Sequence, residues 1–213
     1  MNSRVALAVA SLAGLLLLDP RAAAAVDEAA GNERIGARVG GIATFDGLKD
    51  AYGGGWDITL FFHERLSPSF FLDFRLGAIY LGDLKFEDLD DQLLFTPGIE
   101  SAMRLLYITG GFIYGRPIGG GYSAYTSVGA GIYSVSMVFD AVNAPNVSDQ
   151  NFGFNGGLGV SKRLSTNWSL DANALVHYFL VDQNIEDVYF AFTDGADAPV
   201  LLDIAVGVII DLR

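Results

Sequence analysis

The stretch Leu202–Leu212, LDIAVGVIIDL, alternates with period two. Leu202, Ile204, Val206, Val208, Ile210 and Leu212 fall on one face, and Asp203, Ala205, Gly207, Ile209 and Asp211 on the other. Successive side chains of an extended chain point to opposite sides. This is therefore a strand with one wholly apolar face and one face that carries charge. Its length matches the ~9–11 residues that a tilted strand needs to cross a bilayer.

The pattern recurs upstream. Trp168, Leu170, Ala172, Ala174, Val176, Tyr178 and Leu180 oppose Ser169, Asp171, Asn173, Leu175, His177 and Phe179. Phe70, Leu72, Phe74, Leu76, Ala78 and Tyr80 oppose Phe71, Asp73, Arg75, Gly77, Ile79 and Leu81. Weaker alternation marks Arg34 to Ala43, with Arg38 on the polar face, and Gly54 to His63, with Asp57 and Thr59 there. Phe152 to Arg163 places Asn155, Ser161 and Arg163 on that face. Tyr122 to Phe139 reads as one long strand whose alternation slips around Ser134, which predicts a bulge. Leu93 to Gly115 is too long for a bare span, so its first part is expected to extend past the membrane, and its facing stays open. Eight strands result, an even number, as in bacterial single-chain barrels.

The links between these strands alternate in length. Glu64 to Ser69, Pro117 to Gly121 and Leu164 to Asn167 are short. Asp46 to Gly53, Gly82 to Gln92, Asp140 to Asn151 and Val181 to Pro199 are longer and acidic. Short turns belong to the periplasmic side of an outer-membrane barrel and long loops to the outside. A faint repeat crosses two of the short links: Arg65-Leu66-Ser67 with Leu72-Asp73, and Arg163-Leu164-Ser165 with Leu170-Asp171.

Composition agrees with alternation. Hydrophobic residues make up 51% of the 213 residues and charged ones 18%. Mean hydropathy is +0.36. Beyond the N-terminal segment, no apolar run approaches the ~20 residues of a membrane helix. The absence of cysteine excludes disulfides and thiolate metal sites, and the net charge of -12 argues against a nucleic-acid partner. Arg4, the uncharged Val5 to Leu18, Pro20 and the small residues Ala22 to Ala25 read as a secretory signal peptide, residues 1–25, rather than a membrane anchor. Residues 26–213 then form one barrel domain.

The apolar face decides the class. A soluble β-barrel turns its apolar face inward and wets the polar one. Here the continuous apolar face carries rings near its ends, Trp56, Phe70, Tyr80, Tyr122, Trp168 and Tyr178, as the interfacial girdles of membrane barrels do. The expected fold is an all-β, eight-stranded antiparallel up-and-down transmembrane β-barrel. On these strands, roughly Gly31 to Arg213, the chain resembles the small outer-membrane barrel families: the OmpX and Ail type, the OmpA transmembrane domain, and OmpW. Gly207, Ile210 and Leu212 are similar to the C-terminal assembly signal of these families, which usually ends in an aromatic residue where this chain has Arg213. The resemblance implies the outer membrane of a Gram-negative bacterium. It also implies outer-membrane lipid, lipopolysaccharide and the barrel assembly machinery as partners, with the chain as a monomer.

The inward charges Arg38, Asp57, Asp73, Arg75, Asp171 and Asp203 are expected to form an interior network of ion pairs and hydrogen bonds, because buried charges must be paired. A narrow polar pore is the alternative. Some small barrels modify lipid A with a His-x-Ser pair. His63 is followed by Glu64 and Arg65, and His177 by Tyr178 and Phe179, so neither fits. His177 and Asp171, six residues apart on one strand, would be separated by about 20 Å. Asp83, Glu87, Asp88, Asp90 and Asp91 read as a solvated acidic loop, or as carboxylates bridged by divalent cations to lipopolysaccharide phosphates. No catalytic residue, cofactor or metal site is expected. The function read from the sequence is a non-enzymatic structural or surface-interaction role, with an OmpW-like conduit for small hydrophobic molecules or a lipid A-modifying enzyme as rivals.

Overall fold

A computed structural model describes residues 33–45, 54–82, 101–139, 147–180 and 200–212. The proposed signal peptide, most of the long acidic links, the Asp83–Asp91 cluster and Arg213 lie outside them. The described residues form eight strands: β1 (Glu33–Phe45), β2 (Gly55–Arg65), β3 (Phe70–Leu81), β4 (Ser101–Gly119), β5 (Tyr122–Phe139), β6 (Val147–Arg163), β7 (Trp168–Phe179) and β8 (Val200–Leu212). Each pairs antiparallel with its sequence neighbours, and β1 pairs with β8 to close the barrel. No helix is long and apolar enough to cross a membrane among the described residues. In a closed ring every strand has a partner on both sides, the condition for a sheet to sit in lipid.

Alternation sets the faces. Ile204 and Val206 are each 61% exposed, while Asp203 and Ala205 are each 2% exposed. An apolar residue that stands in the open beside a buried carboxylate inverts the arrangement of a soluble barrel. The same inversion holds around the ring, with Val39, Leu60, Leu76, Ile108 and Val128 outside and Arg38, Thr59, Arg75, Thr109 and Ser127 inside.

Three expectations are revised. The facing of β4, left open by the sequence, is settled by Met103, Leu105, Tyr107, Thr109 and Ile113, which point inward. The expected bulge at Ser134 is absent: β5 keeps register with both neighbours through that residue. The slip in polarity arises because Tyr133 and Val135 are buried inside while Ser134 stands on the other face. A register shift sits instead at Pro117/Gly119, next to the turn. Pro lacks the N–H that a ladder needs, and Gly119, Gly120 and Gly121 turn the chain with φ of 97°, 63° and 78°. Finally, β6 begins at Val147, so part of the expected Asp140–Asn151 link is strand.

The faint repeat has a structural counterpart. Leu66 and Ser67 N–H groups both donate to the Phe70 carbonyl, at 2.9 and 3.1 Å. Leu164 and Ser165 do the same to Trp168, at 2.8 and 3.2 Å. Two hairpins thus make one turn, and each delivers an aspartate, Asp73 or Asp171, to the interior.

Candidate functional site

The six candidate inward charges are all buried: Arg38, Asp57, Asp73, Arg75, Asp171 and Asp203 are at most 3% exposed. The barrel does not join them into a single set of ion pairs. Arg38 Nε donates to Asp171 Oδ2 at 2.6 Å. Tyr125 completes a triangle: its hydroxyl accepts from Arg38 Nη2 at 3.2 Å and donates to Asp171 Oδ1 at 2.9 Å. The Arg38 guanidinium also lies over the Phe61 ring, 4.0 Å from its centroid. A charge-assisted pair of this kind satisfies both ions where water is scarce.

Asp73 joins a second cluster. Arg75 Nη2 lies 2.5 Å from Asp73 Oδ2, and His63 Nε2 lies 3.1 Å from Oδ1. Arg75 Nη1 reaches on to Asn155 Oδ1 at 3.3 Å. Asp57 is held differently, by hydroxyls: Thr59 Oγ1 lies 3.0 Å from Oδ1, and the Tyr107 hydroxyl donates to Oδ2 at 3.1 Å. Among the described residues no arginine lies within 4.0 Å of Asp57 or Asp203, and Asp203 Oδ1 has no hydrogen-bond partner.

A third cluster lies at the end that carries the short turns. Arg34 Nε donates to Asp211 Oδ1 at 2.7 Å, and Arg163 Nη2 lies 3.7 Å from Asp211 Oδ2. Arg34 also covers the Phe71 ring at 4.7 Å.

Toward the long links the interior turns apolar. Ile79, Leu81, Met103, Leu105, Tyr107, Tyr133, Phe179 and Leu201 are at most 1% exposed. Tyr133 stacks between Tyr107 and Phe179, with centroids 5.5 and 5.6 Å away. His177 packs against this stack and its Nδ1 lies 3.0 Å from the Tyr133 hydroxyl. The sequence reading missed this plug. It also missed the pairing of His63 with Asp73, having weighed only His177 with Asp171. Register settles that point, since His63 stands directly opposite Asp73.

His63 and His177 are 4% and 0% exposed, and both face the interior, away from the bilayer. Among the described residues no group of three His, Cys, Asp or Glu side chains could hold a metal ion.

The outward face carries its rings in two belts. At the long-link end Trp56 stacks on Tyr80 at 5.8 Å, and Arg104 lies 5.9 Å over Tyr80. At the short-turn end Phe70 meets Tyr114 at 5.1 Å, and Lys162 lies 4.9 Å over Tyr122. Amphipathic rings and long basic side chains collect at membrane–water boundaries. The two belts therefore mark the edges of the apolar band.

Solved structures share this architecture at low sequence identity, which speaks for the fold alone. Neisserial surface protein A superposes with a TM-score of 0.58 at 14% identity, covering 86% of this chain and 99% of that one. The attachment invasion locus protein Ail of Yersinia pestis gives 0.52 at 13%, covering 85% and 99%. A major outer membrane protein of Thermus thermophilus gives 0.52 at 16%, covering 84% and 99%. No curated protein sequence matches the chain. The model of the outer membrane protein beta-barrel domain matches residues 9–192. With its closed eight-stranded ring, outward apolar band and charged interior, the chain belongs to that family of outer-membrane β-barrels.

Proposed function

We propose that the protein is a closed, non-enzymatic barrel of the outer membrane with a structural or surface-interaction role. Its short turns face the periplasm and its long links face outward. One observation carries this reading. The interior toward the long links is filled by Tyr107, Tyr133, Phe179, Leu105, Met103 and Leu201, none more than 1% exposed. Below this plug, arginine–carboxylate pairs cross the lumen. Water or ions would have to part both layers, and breaking a buried pair exposes an uncompensated charge. A barrel without a passage acts through its surface. That leaves the acidic links, outer-membrane lipid and lipopolysaccharide as the points of contact, with the chain as a monomer. Planar-bilayer recording on refolded protein tests this. The expected trace is flat, and stable openings of large conductance would replace this reading with a channel.

A second reading, a conduit for small hydrophobic molecules, draws support from a dent in the lipid face. About 760 Å³ in volume, it is lined by Ala124, Leu158, Ala172, Ala174, Ile204 and Val206, among others. Small side chains there leave room for a hydrophobic guest. Behind the dent the β5–β6, β6–β7 and β7–β8 ladders run without a register break, while the β4–β5 ladder at its edge shifts at Pro117/Gly119. Saturable binding of a fluorescent fatty acid, abolished by Ala172→Trp, would favour the conduit.

A further inference from the structure

The ion pairs of the lumen leave two carboxylates over. Arg38 is taken by Asp171 and Arg75 by Asp73, while Asp57 and Asp203 have no arginine within 4.0 Å among the described residues. His63 lies on Asp73, and His177 is turned to the Tyr133 hydroxyl. Arg38 and Arg75 act on Asp57 and Asp203 only from a distance. The register brings these two aspartates together over Gly40 of β1. Asp57 stands directly opposite Gly40 on β2. On β8, Asp203 lies two residues from Ala205, the other partner of Gly40. Its Oδ1 leans over Gly40, into the space that a side chain there would fill. Of the charged groups around Asp203, Asp57 acts on it most strongly. Both are at most 2% exposed, so two like charges meet with little water between them.

A third oxygen faces the same place. The row across β7, β8, β1 and β2 reads Asn173, Ala205, Gly40, Asp57. Its middle members carry only a methyl group and a hydrogen. Asn173 is 8% exposed, and its Oδ1 has no hydrogen-bond partner; Asp203 Oδ1 has none either. Asn173 and Asp203 are diagonal neighbours on one face, a spacing of about 7–8 Å that side chains reach across. The Asp57 oxygens accept from Thr59 and Tyr107, at 3.0 and 3.1 Å, and each keeps a lone pair. Buried acceptors without donors are costly, and a hard cation satisfies several at once. Calcium takes about six to eight oxygens in irregular geometry, from carboxylates, amide carbonyls and water, whereas magnesium demands an octahedron. Two carboxylates and an amide on three strands suit the more tolerant ion.

We propose that Asp57, Asp203 and Asn173 hold one calcium ion inside the barrel. The test refolds the protein in zwitterionic detergent under equilibrium dialysis against calcium-45, so that the ion is present before the ring closes. Enough salt is added to screen the acidic links. Saturable binding of about one ion per chain is expected. Asp203→Asn should weaken it roughly tenfold or more. The double variant Asp88→Asn, Asp90→Asn, in an acidic link outside the described residues, should leave it unchanged. A proton shared by the two carboxylates would satisfy them without metal and give no saturable binding, which overturns the proposal. Equal affinity in Asp203→Asn, or a loss that follows the link variant, also overturns it. Should Asp203→Asn not fold, Asn173→Leu serves, because it removes an oxygen that has no partner. Binding about threefold weaker or more then supports the site, since ligand number tunes affinity, and equal affinity overturns it.

Discussion

The Tyr107 ring fills the space that a side chain on Gly77, its cross-strand partner, would occupy. The same relation joins Tyr125 to Gly159 on β6. A barrel of eight strands has an interior that side chains just fill, so each large inward ring needs a neighbour with none. This explains much of the glycine content inside the sheet. It also ties packing to polarity, because both tyrosines deliver hydroxyls to buried aspartates.

Replacing Gly77 by Val should therefore displace the Tyr107 ring and break its bond to Asp57. Overpacking of a filled core costs about 1–3 kcal/mol, and the stranded carboxylate adds to it. Urea unfolding from lipid vesicles checks the sum. Tyr107→Leu in the same background should recover part of the loss; no recovery would disconnect the two residues.

Arg38 and Asp171 form the best-satisfied buried ion pair. Arg38→Met alone should cost about 3–5 kcal/mol, since it leaves Asp171 buried with only Tyr125. The double variant Arg38→Met, Asp171→Leu should be less damaging than the single one. Strict additivity of the two changes, measured by a double-mutant cycle, would show that the pair is not coupled.

On the outer wall, Ile204→Arg or Val206→Arg places a charge in lipid and should cost about 2–4 kcal/mol near the midplane. Ala205→Arg enters the lumen beside Asp203 and Gly40 and acts by crowding instead. Raising vesicle acyl-chain length should worsen the outward variants and leave the inward one untouched.

The chain has two tryptophans, Trp56 and Trp168, at opposite belts and both about half exposed on the outer face. In single-tryptophan variants, each should be quenched more by lipids brominated near the headgroup than by lipids brominated near the chain terminus. Stronger quenching by deep bromines would move the belts off the interfaces.

The sequence revealed the strands wherever the two faces differ in polarity. In β7 and β8, aspartates and asparagines alternate with aliphatic side chains, and both strands lie where alternation puts them. Contrast fails near the long-link ends of β4 and β5. There Met103, Leu105, Tyr133 and Val135 face inward and are as apolar as any lipid-facing residue. Period two then has no polarity to report, so the facing of β4 stayed open and the plug went unseen. Ion-pair partners were hidden for another reason. Arg38 and Asp171 lie on β1 and β7, separated by β8 and by 133 positions of sequence. Their meeting depends on the stagger of the closed sheet, which no single strand encodes.

On the proposed reading the aromatic stack seals one end and the cavity beside Arg34 and Arg163 opens at the other, so the lumen is a blind well rather than a tube. Its charges can trade water and protons with a single compartment. In an outer membrane oriented by its short turns, that compartment is the periplasm. A sudden change in acidity outside the cell would reach the belts and the links at once, yet the ion pairs at the bottom of the well would respond only after the periplasm had followed.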